Sequence, residues 1–138
     1  MTGISRRQSR EIAFQFLYGN LPEAGGGAAE YARRDFELFC ASFAFDADEF
    51  AWELCDATGK NVPMLDKTVA GLSTNWRLDR MSRVDLTILR LAALEILVRE
   101  DIPKSVSINE AVELAKRYGA EDSPAFVNGL LDKIDKPS

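Results

Sequence analysis

Residues 82–98 read SRVDLTILRLAALEILV, and this stretch decides the fold. Ser82, followed three residues later by Asp85, is a variant of the capping box that opens a helix. From Val84 to Val98 the apolar residues lie almost all round a 3.6-residue period, with no β-type alternation. A helix that is apolar on nearly every side has to be enclosed by others. Arg90 and Glu95 interrupt the run, and it is too short to span a bilayer. The stretch therefore predicts the central, least exposed helix of an all-α bundle.

The same period continues on both sides. Downstream, Ser107 and Glu110 read as a second capping box, and Ile108, Ala111, Val112 and Ala115 form a stripe. Lys116-Arg117-Tyr118-Gly119 is a stop with cations at the negative end of the helix dipole. Ser123-Pro124 opens a last helix whose apolar face is Phe126, Val127, Leu130, Leu131 and Ile134. Upstream, Ser5 caps a first helix that runs to about Tyr18, buries Ile12, Ala13, Phe16 and Leu17, and ends at Gly19. The stretch from Leu21 to Ala29, with Pro22 and three consecutive glycines, is a loop too short to divide domains. Helices follow from about Glu30 to Phe43 and from Asp48 to about Ala57. Another starts at Asn61 and Pro63, with Leu65, Val69, Leu72 and Trp76 at helical spacing. About six or seven helices without an internal repeat predict a single-domain all-α helical bundle over residues 1–138.

Composition narrows the function. A chain of 138 residues, 46% hydrophobic and 28% charged, can bury a core without metal or disulfide staples. It has no histidine, which removes the usual general base near neutral pH, the commonest zinc ligand and every Ser-His-Asp arrangement. Cys40 and Cys55 stand alone within helical segments and read as small core residues. No glycine-rich phosphate loop is present, since Gly59-Lys60 is followed by Asn61. Glu49/Glu53 and Glu110/Glu113 are helical neighbours that read as solvated surface rather than a catalytic or metal pair. Neither an enzyme, a cofactor nor a small-molecule substrate is expected. No apolar stretch follows Met1 to Gln8 before Arg10 and Glu11, so no signal peptide is read, and a cytoplasmic protein without membrane contact is expected.

The net charge of −5 is unevenly distributed. Residues 1–18 carry three cations against one acid, residues 19–66 three against ten, and residues 67–138 eleven of each. A basic end on an acidic body confines polyanion binding to one edge. Cations in the first turn of a helix oppose its dipole, yet the first helix opens with Arg6, Arg7 and Arg10. At about 100° per residue the three fall within an arc of roughly 100°, so they can share one volume with the free N–H groups of the helix start, where a phosphate could sit. The other reading is a solvated terminus in which Arg10 pairs with an acid. Phe14 and Tyr18 follow on the same side, either to stack bases or dock a partner, or to pack against another helix.

Ser5-Arg6-Arg7-Gln8-Ser9-Arg10-Glu11, followed by Gln15, Leu17 and Tyr18, resembles the arginine-rich start of the NusB family of transcription antitermination factors. So do the blocks Trp76-Arg77-Leu78-Asp79-Arg80 with residues 84–91, and Ile102-Pro103-Lys104 with residues 105–116. The most specific block is residues 119–133, GAEDSPAFVNGLLDK. The resemblance covers nearly the whole chain and is weakest over residues 19–60. It implies two three-helix bundles packed across each other, with no catalytic activity. It also implies binding of the boxA element of ribosomal RNA leaders together with NusE, the tenth small-subunit ribosomal protein, within an RNA polymerase antitermination complex. The arginine-rich start maps onto Arg6, Arg7 and Arg10. Asp122 and Phe126 are implied near the RNA, Phe126 as a stacking platform, and Tyr18 and Asp85 are implied to face NusE. Read as residues only, Asp122 also suits a helix cap and Phe126 a core position.

Overall fold

In a computed structural model, residues 4–73 and 77–137 are described. Seven α-helices follow one another: α1 (Arg6–Asn20), α2 (Arg33–Ser42), α3 (Glu49–Lys60), α4 (Val62–Leu72), α5 (Arg83–Val98), α6 (Lys104–Tyr118) and α7 (Ser123–Asp132). A short 3-10 turn, Leu78–Arg80, precedes α5. Among the described residues there is no strand. Trp76, placed by spacing on the stripe of the fourth helix, lies outside the described residues.

Helix α5 is the axis. It touches α1, α3, α4, α6 and α7, and every residue from Leu86 to Ile96 is buried. The α1, α2 and α3 helices pack as one group, α5, α6 and α7 as another, and α4 lies along α5. The two buried charged residues of α5, Arg90 and Glu95, are each paired. Arg90 donates through Nε and Nη2 to the Asp66 carboxylate at 2.7 and 2.8 Å, and through Nη1 to the Pro22 carbonyl at 2.7 Å. This closes a buried charge with matched hydrogen bonds and ties the glycine-rich loop to the core. Glu95 is paired with Arg10, as described below.

The helix starts agree with the sequence where the cap is local. Ser5 and Gln8 form a reciprocal capping box, Asp48 accepts from the Ala51 N–H, and Ser82 accepts from that of Asp85. The second capping box does not form. Helix α6 starts at Lys104 after Pro103, so Ser107 and Glu110 lie within it. Their side chains are drawn into contacts with other helices: Ser107 Oγ donates to Glu95 at 3.0 Å, and Glu110 takes Arg7. Helix ends also shift. Helix α1 runs past Gly19 to Asn20, and α3 runs through Gly59, where a side chain would meet the Ala29 carbonyl and the Tyr31 ring, each at 2.7 Å. That glycine serves close packing, not termination.

Cys40 and Cys55 are free and buried. Burial pushes the Cys40 thiol up to about 11 and the Cys55 thiol well above its usual value. Among the described residues no group of acids and cysteines could hold a metal ion, and no helix is long and apolar enough to cross a membrane.

Candidate nucleic-acid and partner interface

The basic edge is built on the start of α1. Ser9 Oγ donates to Asp48 at 2.6 Å, so one carboxylate caps α3 and pins the first turn of α1 against it. Beyond that anchor the three arginines diverge. Arg6 is half exposed, stacks over the Phe50 ring at 4.2 Å and lies 3.5 Å from Asp101. Asp101 is held down to about 2, first by its hydrogen bonds from Arg99. Arg7, with its side chain 65% exposed, donates through Nε and Nη2 to Glu110.

Arg10 corrects the expectation of three convergent guanidinium groups. It is 4% exposed and donates to Glu95 through Nε and Nη2 at 2.8 and 2.9 Å, while Glu95 is also bonded by Ser107. The cause is the width of α1's buried arc. The helix packs against α3, α5 and α6, and Ala13, Phe14 and Leu17, which follow Arg10 at three, four and seven residues, are all buried. Residues at those spacings share a face, so Arg10 sits in the middle of it. Arg6 and Arg7 escape only because they occupy the first turn, at the end of the core. The alternative reading, Arg10 paired to an acid, is the one the fold adopts, and two of the three arginines are presented.

Asp122 is exposed and is the N-cap residue of α7, but its side chain makes no capping bond; Ser123 Oγ accepts from the Ala120 N–H instead. Phe126, one turn into α7, is half-buried at the edge of the core. Helix α7 packs on α6, the helix that carries Glu110.

A second feature is apolar. Phe14, Gln15, Tyr18, Phe39, Phe43, Val84 and Tyr118 line a groove of about 390 Å³. Phe14 packs on Tyr118 with the rings tilted and their centroids 4.8 Å apart, and is buried, whereas Tyr18 is 41% exposed. Arg83 holds Tyr18 in place, donating to its carbonyl at 2.6 Å and to that of Leu21 at 2.8 Å while lying 5.6 Å over its ring. Asp85 adjoins Val84, and its buried Oδ1 has no hydrogen-bond partner, since the return arm of the expected capping box is not made. The family resemblance assigned Tyr18 and Asp85 to one partner; the groove itself is lined by Tyr18 and Val84 but not Asp85, and Phe39, Phe43 and the supporting Arg83 were not singled out from sequence as site residues. A signal was present in the sequence, where Phe36, Phe39 and Phe43 recur at helical spacing along α2 and its C-cap; in the fold Phe36 is buried while Phe43 remains 58% exposed.

The NusB family model matches residues 7–136. The chain belongs to the NusB family. The transcription antitermination protein NusB of Geotalea daltonii is 44% identical, covering 94% of this chain and 93% of its own length. That of Geobacter sulfurreducens is 45% identical over the same shares. The solved structure of NusB from T. maritima superposes with a TM-score of 0.78 at 35% identity, covering 99% of this chain and 96% of that one. A structure of antitermination factors NusB and NusE in complex with dsRNA has the same fold, with a TM-score of 0.74, 24% identity and 92% of each chain covered. NusB proteins are non-catalytic antitermination factors, in keeping with a sequence that has no histidine.

Proposed function

We propose that this member of the NusB family binds boxA RNA together with NusE and so helps RNA polymerase resist termination, in the cytoplasm. The observation that carries the RNA half is the start of α1. Two exposed guanidinium groups, Arg6 and Arg7, stand at a helix N-terminus on a body whose next segment holds ten acids against three cations. Phosphate is attracted to the positive end of a helix and to arginine forks, and repelled by the remaining surface. Arg10 contributes by fixing the helix rather than by touching RNA. Asp122 and Phe126 extend the surface from α7, with the half-buried Phe126 ring offering a face for base stacking.

The partner half rests on the apolar groove. Tyr18 supplies an aromatic anchor in that groove, and Asp85, next in sequence to Val84 of the groove wall, supplies an acid, a pairing suited to a basic protein such as NusE. Such a partner would add the phosphate contacts that a chain with net charge −5 lacks.

Titration calorimetry with purified NusE, followed by boxA RNA, tests this reading. A one-to-one complex that binds the RNA more tightly than this chain alone is expected, and Asp85→Lys should weaken the protein complex without unfolding the bundle. No measurable NusE affinity at low salt, or an RNA affinity unchanged by NusE, would refute it. For the RNA half, the Arg6→Ala/Arg7→Ala double variant should flatten the salt dependence by up to ~0.7 log units per lost contact.

A further inference from the structure

Both surface arginines at the start of α1 already have an anion nearby, and Arg7 has one seated in its fork. The Glu110 carboxylate takes Nε of Arg7 at 3.1 and 3.3 Å and Nη2 at 2.8 Å, and Asp101 lies against Arg6. A carboxylate engages the planar guanidinium fork with the same bidentate geometry as a phosphate, so Glu110 occupies the position an RNA phosphate would take. The two partners are unequally free. Glu110 is fixed on α6 with its side chain 15% exposed, while that of Arg7 is 65% exposed. Arg7 is the member that can swing away. The pair opens on a cleft of about 340 Å³ that also holds Glu11, Glu113, Lys116 and Arg117, with room for a phosphate. Every cation there has its own acid: Lys116 pairs with Glu113 at 3.2 Å and Arg117 with Glu11 at 2.8 Å.

We propose that Glu110 sets which anions reach Arg7, by competing with RNA phosphate for its guanidinium group. This rests on the reading above that Arg7 meets RNA. A lone small anion gains one fork and must displace a carboxylate already seated in it. A nucleic-acid backbone gains several contacts at once and so displaces Glu110, and the charge Arg7 adds to the interface is only what exchange leaves over. Glu110 thereby lowers the affinity of the chain for RNA held by Arg7 alone, and leaves tight binding to RNA engaged at further points such as Arg6 and Phe126. Arg7 holds the Glu110 carboxyl below its usual value, and Glu110 in turn holds the Arg7 guanidinium above its own. Both are therefore charged, and in competition, throughout the neutral range.

The test is a cycle of Glu110→Gln, Arg7→Ala and the double variant in the full chain. A single-stranded boxA oligonucleotide is titrated over a range of salt concentrations, and thermal unfolding serves as the folding control. Glu110→Gln should bind the oligonucleotide roughly two- to fivefold more tightly, because the exchange it removes is that of a solvent-facing ion pair. Its salt dependence should steepen by up to ~0.7 log units as Arg7 becomes a full phosphate contact. In the Arg7→Ala background the same change should have no effect. Binding by Glu110→Gln that is unchanged or weaker would overturn the proposal, as would a gain that persists without Arg7, which would reflect only the loss of one negative charge. These outcomes differ from failure of the underlying reading, in which Arg7→Ala alone leaves affinity and salt dependence as they were.

Discussion

Arg10→Ala separates the arginine that builds the site from those that face outward. In the folded chain Arg10 is 4% exposed and Glu95 2%, and they share two hydrogen bonds of 2.8 and 2.9 Å. Removing the guanidinium leaves the Glu95 carboxylate in the core with only Ser107 Oγ, at 3.0 Å, as an observed partner. Breaking a buried pair from one side costs about 3–5 kcal/mol, since the remaining charge is desolvated and uncompensated. For a domain of this size that corresponds to a fall of roughly 10–15 °C in melting temperature. The double variant Arg10→Met/Glu95→Leu removes both charges while keeping most of the volume, and should recover most of the loss, because the desolvation penalty disappears with the charge. Arg7→Ala, which breaks a pair on the surface, should leave the melting temperature almost unmoved. Urea and thermal unfolding followed by circular dichroism measure all three. An Arg10→Ala loss below about 1 kcal/mol, or a double variant less stable than Arg10→Ala, would show that the buried pair is not what fixes α1. RNA titration adds a second reading: folded Arg10→Ala protein should keep the wild-type salt dependence, because this guanidinium does not reach phosphate.

Leu91 is 1% exposed at the middle of α5, so Leu91→Ala should cost ~2–5 kcal/mol in urea unfolding, and a loss under half a kilocalorie would count against α5 as the core helix. Phe126→Ala should weaken RNA binding by ~1–3 kcal/mol with little change in salt dependence, the signature of lost stacking rather than lost charge. Both thiols are held above their ordinary values, so the thiolate fraction at pH 8 is small; a maleimide or disulfide reagent should leave native protein unmodified at that pH and label Cys40 and Cys55 only after unfolding. Glu110 is held below its usual value in the folded chain, so its pairing adds stability above the ordinary carboxylate range, and that stability is lost as pH falls through the lowered value. Glu110→Gln should therefore be less acid-sensitive than the wild type, and identical acid titrations of the two would remove the pair from the acid response.

The fold class, the order of the helices and the identity of the central one are legible in the residues alone, because helical periodicity and side-chain caps act within a few residues. Ser5 with Gln8, Asp48 with the Ala51 N–H, and Ser82 with that of Asp85 need no partner from elsewhere in the chain, and all three form. The block at residues 119–133 and the arginine-rich start also carried the family in their residues alone. Packing between helices sets the destination of groups whose local and distant options compete. Arg10, Ser107 and Glu110 each had a plausible local or solvent-facing role, and each was taken instead by a residue on another helix. A buried carboxylate such as Glu95 must find its cation wherever the chain supplies one. Its partner, Arg10, lies 85 residues earlier in the sequence, although Arg90 and Arg99 are far closer along the chain, and no local pattern records that choice. Phe43 continues the apolar stripe of Phe36 and Phe39, yet it stands just past the end of α2 and remains exposed while Phe36 is buried.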